Sequence, residues 1–174
     1  MLPSLSRVFE ICLYSLLNFF PFLIFALYPF RDDLRFSRTK TGLLIVVLTF
    51  LQILFGLLAC FSTGNISAVL SLVSTLSYAF FYFTAIRKSP GQLLFVLLMI
   101  SNIANLVVIT AKCLEGQFFP DYALLPYHYS MSLFMVIVEI FILIPVFVFL
   151  KKVITPALSC SQSFHEWHRS CSIS

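Results

Sequence analysis

Charge is scarce in this sequence: Asp, Glu, Lys and Arg together make up 10% of its 174 residues. Soluble domains carry about 25%, so this chain lacks the residues to cover itself with a water-facing surface. Glycine is thin too, at five residues. The signatures GxGxxG, GxxxxGKS/T, GxSxG and HExxH are all missing, which removes the usual phosphate-cradling loops, the nucleophile elbow and the zinc-protease helix. The five cysteines (Cys12, Cys60, Cys113, Cys160, Cys171) form no CxxC pair and no metal-type spacing, so no disulfide framework is expected. Cys60 and Cys113 fall near one membrane face and remain open to pairing. His165 and His168 stand three apart but lack further ligands, so no metal centre is predicted. The eleven Lys and Arg are scattered in small groups between apolar runs, which gives nucleic acid no basic stripe to bind. No small-residue cleavage site follows Arg7, so the first apolar stretch reads as a retained helix rather than a signal peptide. No enzyme activity and no cofactor are predicted.

What the chain has in abundance is apolar length. It is 60% hydrophobic with a mean hydropathy of +1.02, and lipid is the solvent that suits it. A bilayer core of about 30 Å takes roughly 20 helical residues, and five runs fit: about 8–28, 41–61, 66–86, 93–111 and 131–150. Backbone polar groups in lipid must pair within their own segment, and the runs lack the alternation of a barrel strand. The expected fold class is therefore all-α, a polytopic membrane helix bundle of five transmembrane helices in a multi-pass protein of the cell membrane. Residues 112–130 are expected to form a longer connection rich in aromatic residues. It suits an interfacial belt or the rim of a site.

Lys and Arg counts give the orientation. Arg31, Arg35, Arg38, Lys40, Arg87, Lys88, Lys151, Lys152 and Arg169 fall on one side, against Arg7 and Lys112 on the other. The positive-inside rule then predicts the N-terminus outside and the C-terminus in the cytoplasm. Pro21 and Pro145 lie inside the first and fifth runs, where each removes a backbone hydrogen bond. They are candidate hinges, with ordinary shaping of helix packing as the other reading.

Polar side chains within lipid are costly and need a partner or a task. Glu139 stands out, about 12 Å along the fifth run from its outer end at the helical rise. Asn18, Gln52, Ser74 and Asn102 sit at similar depth in the other four runs, with Asn105 one turn shallower on the face of Asn102. Such a belt reads as the floor of a ligand pocket open to the outside, in which Glu139 is a counter-charge or acceptor. Its other reading is interhelical glue, at about 1 kcal/mol per contact. Ser67, Ser71, Ser74 and Tyr78 form a stripe at helical spacing that lets a neighbouring helix approach.

Three stretches carry a resemblance: residues 27–41 (LYPFRDDLRFSRTKT), 101–116 (from Ser101-Asn102 to Cys113-Leu114-Glu115-Gly116) and 138–158 (from Val138-Glu139-Ile140 to Lys151-Lys152 and Leu158). Together, over about 13–158, the chain resembles the N-terminal membrane region of GHKL-type sensor histidine kinases of Gram-positive bacteria. The resemblance implies a sensor that takes an extracellular small-molecule or peptide signal and passes a conformational change inward, to a kinase partner or within a homodimer. Residues 1–158 would be the transmembrane sensor domain and 159–174 a short, disordered cytoplasmic tail. That tail has no room for the kinase's catalytic part, so a truncated product or a stand-alone sensor fragment is expected. A small transporter subunit binding a solute at mid-membrane is the alternative.

Overall fold

The computed structural model of the protein describes residues 5–62, 65–125 and 127–157. The tail, with Cys160, His165, His168 and Cys171, lies outside the described residues. Regular structure among the described residues is helical, apart from one isolated bridge between Leu34 and Ile86. Five helices are long and apolar enough to cross a membrane.

Helix α1 (Leu5–Leu27) runs straight into a 3-10 turn, Tyr28–Phe30, with Pro29 in it. Helix α2 (Arg38–Phe61) begins one turn earlier than its apolar run, because the Ser37 hydroxyl caps it by accepting the Lys40 N–H at 3.4 Å. Helix α3 spans Asn65–Ala85 and α4 spans Pro90–Phe118, with a proline in the first turn of α4 where no N–H partner is needed. A single-turn α5 (Pro120–Ala123) precedes α6 (Tyr129–Phe149), which continues into a π-helical turn, Leu150–Ile154.

The connection expected at 112–130 is shorter than its polar residues suggest. Helix α4 carries on through Lys112 to Phe118, so the non-helical link shrinks to the residues around α5. Lys112 and Glu115 look like chain-breaking polar residues, but at i,i+3 they pair on one helix face at 2.6 Å and support the extra two turns.

Helix α1 is the centre of the bundle. It packs on α2 on one flank and on α4 and α6 on the other, while α3 leans mainly on α2 and buries only Tyr82 and Ala85. The buried stripe of α4 (Leu93, Val96, Leu97, Ile100, Val107, Ala111) faces α1 and α6, joining Leu23, Ala26 and Met135 in one core. Outside this core the surface remains apolar: Phe50 is 69% exposed, Phe80 73% and Phe141 74%. In water such a girdle is an aggregation hazard, and in lipid it is matched to its solvent.

The loops at the basic end are tied together. The Arg35 N–H donates to the Ala85 carbonyl at 2.8 Å, the Arg87 N–H donates to the Asp33 carbonyl at 2.9 Å, and Lys88 pairs with the Asp33 carboxylate at 3.2 Å. The 31–37 and 86–89 connections therefore form one block. The π-helical turn of α6 packs on the Tyr28–Phe30 turn next to it.

Candidate functional site

The polar residues singled out from the sequence separate into three places. Asn18, Gln52 and Ser74 come together in a cavity of about 230 Å³ between α1, α2 and α3, alongside Ser15, Thr75 and Tyr127. Gln52 is engaged on both its amide atoms: Nε2 donates to the Ser74 carbonyl at 2.9 Å and Oε1 accepts from the Ser74 hydroxyl. That reciprocal pair joins α2 to α3. Ser71 and Thr75 turn their hydroxyls back onto carbonyls of their own helix, at Ser67 and Ser71. On α4, Asn102 and Asn105 face outward on the bundle surface, and the Asn102 amide donates to the Leu98 carbonyl at 2.9 Å.

Close approach at the polar cavity depends on Gly56. A Cβ there would lie 2.6 Å from the Ser15 hydroxyl oxygen on α1. Gly56→Ala displaces only a rotatable hydroxyl, whereas Gly56→Leu fills the cavity and forces α1 from α2. We expect Gly56→Leu to lower stability by about 1–3 kcal/mol and Gly56→Ala by far less, read as the midpoint of denaturation in mixed micelles. Equal midpoints for Gly56→Leu and the unchanged protein would refute the close approach.

Glu139 lies on the opposite flank of α1. It is 6% exposed and lines a larger cavity of about 490 Å³ between α1 and α6, with Leu17, Phe25, Leu143 and Phe147 among its walls. Its Oε1 has no hydrogen-bond partner among the described residues. Both candidate hinges fall between wall residues of this space: Pro21 between Leu17 and Phe25 on α1, and Pro145 between Ile144 and Phe147 on α6. Pro21 deprives the Leu17 carbonyl of its helical partner, and Pro145 does the same to Phe141. Phe147 meets Phe25 edge-on at 6.2 Å and Tyr28 at 5.1 Å, and the Tyr28 ring lies 5.5 Å from the Arg31 guanidinium. A run of aromatic contacts thus joins the cavity to the basic end.

No family model, curated protein or solved structure matches this chain. The chemistry of its sites has to be read from its own geometry.

A third cluster, which sequence reasoning missed, sits at the other end of the bundle. Glu115 on α4 is fully buried; it accepts from Lys112 at 2.6 Å and from the Ser130 hydroxyl at the start of α6. The Ser130 N–H donates to His128 Nδ1 at 3.3 Å, capping α6, and the His128 ring stacks on Tyr122 at 4.5 Å. His128 Nε2 lies 4.0 Å from Glu10 on α1, and Glu10 accepts from Arg7 at 3.0 Å. These side chains lace α1, α4 and α6 together in one network. The i,i+3 spacing of Arg7/Glu10 and Lys112/Glu115 is the sequence signal from which it could have been found. Cys60 and Cys113 near this end are both free.

Proposed function

We propose that this chain is the membrane sensor module of a two-component-type signalling receptor in the cell membrane, with no catalytic chemistry of its own. In this reading the N-terminus is outside and the basic end is cytoplasmic, in keeping with the positive-inside rule. The signal acts at the α1–α6 cavity, and the output leaves through the basic end toward a kinase partner or a second copy.

The single observation that carries the reading is the construction of α6. Along one helix lie a buried carboxyl whose Oε1 has no partner among the described residues, an internal proline and a π-helical turn, in that order from Glu139 through Pro145 to Leu150–Ile154. A π-turn holds one residue more than an α-turn, so its return to α geometry shifts everything beyond it by a residue, about 100° of rotation. The turn is closed by the Thr155 N–H and hydroxyl, both on the Leu150 carbonyl. It rests on the Tyr28–Phe30 turn, which leads into the tied loop block. The π-turn and the α-turn it would relax to are two discrete registers, and beside a packed block they would form the kind of bistable element that switching requires.

The test uses a cysteine-free background with spin labels at Val153→Cys on the π-turn and Ser89→Cys on the opposite loop. Glu139→Leu stands in for a satisfied cavity, because it removes the unpaired carboxyl. The expected result is a change in the mean label distance of about 3 Å or more, the scale of a one-residue register shift. Equal label distances with Glu139 intact and in the Glu139→Leu variant would mean that α6 is rigid and that the sensor reading fails.

A further inference from the structure

Among the described residues, Glu139 Oε1 and Ser132 Oγ, both on α6, are buried without a hydrogen-bond partner, and of the two only Glu139 lines the α1–α6 cavity. Its side chain is more than nine-tenths buried, and Oε1 meets no donor among the described residues. A buried polar group left in this state costs about 1–3 kcal/mol, and more when charged. An apolar side chain of similar size would pack here without that cost. The other eight described residues around the cavity have apolar side chains, so the carboxyl is the sole polar side chain among them lining a space of about 490 Å³. That volume lies within the range of small-molecule sites, roughly 300–1,000 Å³.

Resting on the sensor reading for its site, we propose that this cavity binds a lipophilic amine, with its nitrogen against Glu139 and its alkyl or aryl body along the walls of α1 and α6. Charge complementarity selects the amine. If Glu139 begins as the acid, its O–H bond breaks as the proton moves to the amine nitrogen, leaving a carboxylate beside an ammonium. If it begins as the carboxylate, an ammonium enters directly. Either route ends in the same charge-assisted contact, roughly twice as strong as a neutral hydrogen bond. An alcohol stays neutral and brings no opposite charge to Glu139, and a carboxylate brings a like charge.

The walls agree with this. Phe25 and Phe147 both line the cavity, and an aromatic face near an ammonium adds a cation–π attraction. The mouth is bounded by Ile140 and Ile144, 55% and 62% exposed on the outer flank of the bundle. The cavity therefore opens toward lipid. A ligand reaches it by first dissolving in the bilayer, which a compact polar solute does poorly and an amine with an apolar body does well.

The probe is tritiated 4-phenylbutylamine, measured on the full chain in phosphatidylcholine nanodiscs, with 4-phenylbutanol and 4-phenylbutyrate as competitors. The expected result is saturable binding with one amine per chain, weakened about tenfold or more in the near-isosteric Glu139→Gln. The alcohol and the acid should compete at least about tenfold less well than unlabelled amine. Ile144→Trp, which narrows the mouth without touching the carboxyl, should block binding while leaving the denaturation midpoint in place. Equal affinity in Glu139→Gln, or equal competition by the alcohol, overturns the proposal. So does rapid disulfide cross-linking of Ile144→Cys that the amine fails to slow, since a second copy would then cover the cavity. The two readings fail separately. Carboxyl-dependent amine binding with no movement of the Val153 label keeps the ligand and removes the sensor; movement in Glu139→Leu without amine binding does the reverse.

Discussion

Replacing Tyr82 by alanine is expected to cost the bundle about 2–3 kcal/mol, the largest effect of any single truncation on α3. Tyr82 is fully buried, and its ring meets Phe30 at 6.3 Å, Tyr78 at 6.4 Å and Phe83 at 6.0 Å. Its hydroxyl donates to the Ala26 carbonyl at 3.3 Å, in the last turn of α1, where helix carbonyls lack an i+4 partner. In soluble proteins an aromatic-to-alanine change of this kind costs roughly 3–5 kcal/mol. Part of that figure is transfer from water, which lipid does not supply, so the packing and cavity parts remain. Tyr82→Phe keeps the ring and loses only the interhelical hydrogen bond, at about 0.5–1 kcal/mol. Denaturant titration in mixed micelles reads both. The ordering is the decisive result: if Tyr82→Ala lies no lower than Tyr82→Phe, the ring does not hold α3. Because Tyr82 ties α3 to the end of α1, the loss should loosen α3 from α1 while the Gln52–Ser74 pair still holds it to α2 and the α1, α4 and α6 core stays folded.

The number of spans was legible because hydropathy over twenty residues is a strong signal, and α2, α3 and α6 match their runs within a turn at the start. The end of α4 was not, because Lys112 and Glu115 look in sequence like polar punctuation and show themselves as a pair only on a helix face, three residues apart. Relative level along neighbouring helices was also legible: counting residues from the run ends places Asn18, Gln52 and Ser74 level, and they meet in one cavity. Azimuth was hidden. A helix that is apolar all round gives no amphipathic stripe to mark its buried side. Asn102, placed by count at the depth of Glu139, and Asn105, one turn shallower, thus face away from the core that Ile100 and Val107 enter. The flank of α1 on which each cavity lies depends on which helices α1 touches, and no residue pattern within α1 announces it.

The network at the Glu115 end leads to the second large effect, a double-mutant cycle on Lys112 and Glu115. Glu115 is fully buried, whereas Lys112 is 40% exposed on its side chain and can turn to the aqueous interface. The two single truncations are therefore unequal. Glu115→Leu releases a lysine that finds water and leaves the Ser130 hydroxyl without its acceptor, at about 1–2 kcal/mol. Lys112→Met leaves a buried carboxylate with only Ser130 to satisfy it, and removing one partner of a buried pair costs about 3–5 kcal/mol in general. Access of water at the helix end moderates this, so about 2–3 kcal/mol is expected. With both changed, no charge is stranded. The double variant should then be more stable than Lys112→Met alone, and the coupling should exceed about 1 kcal/mol. Strict additivity would mean that the 2.6 Å contact carries no energy and that α4 and α6 are held at this end by apolar packing of Ala111 and Met131 instead. A coupling that persists in Ser130→Ala would assign the energy to the ion pair itself. If it shrinks there, the serine belongs to the same unit, and α6 is anchored to α4 through its first turn.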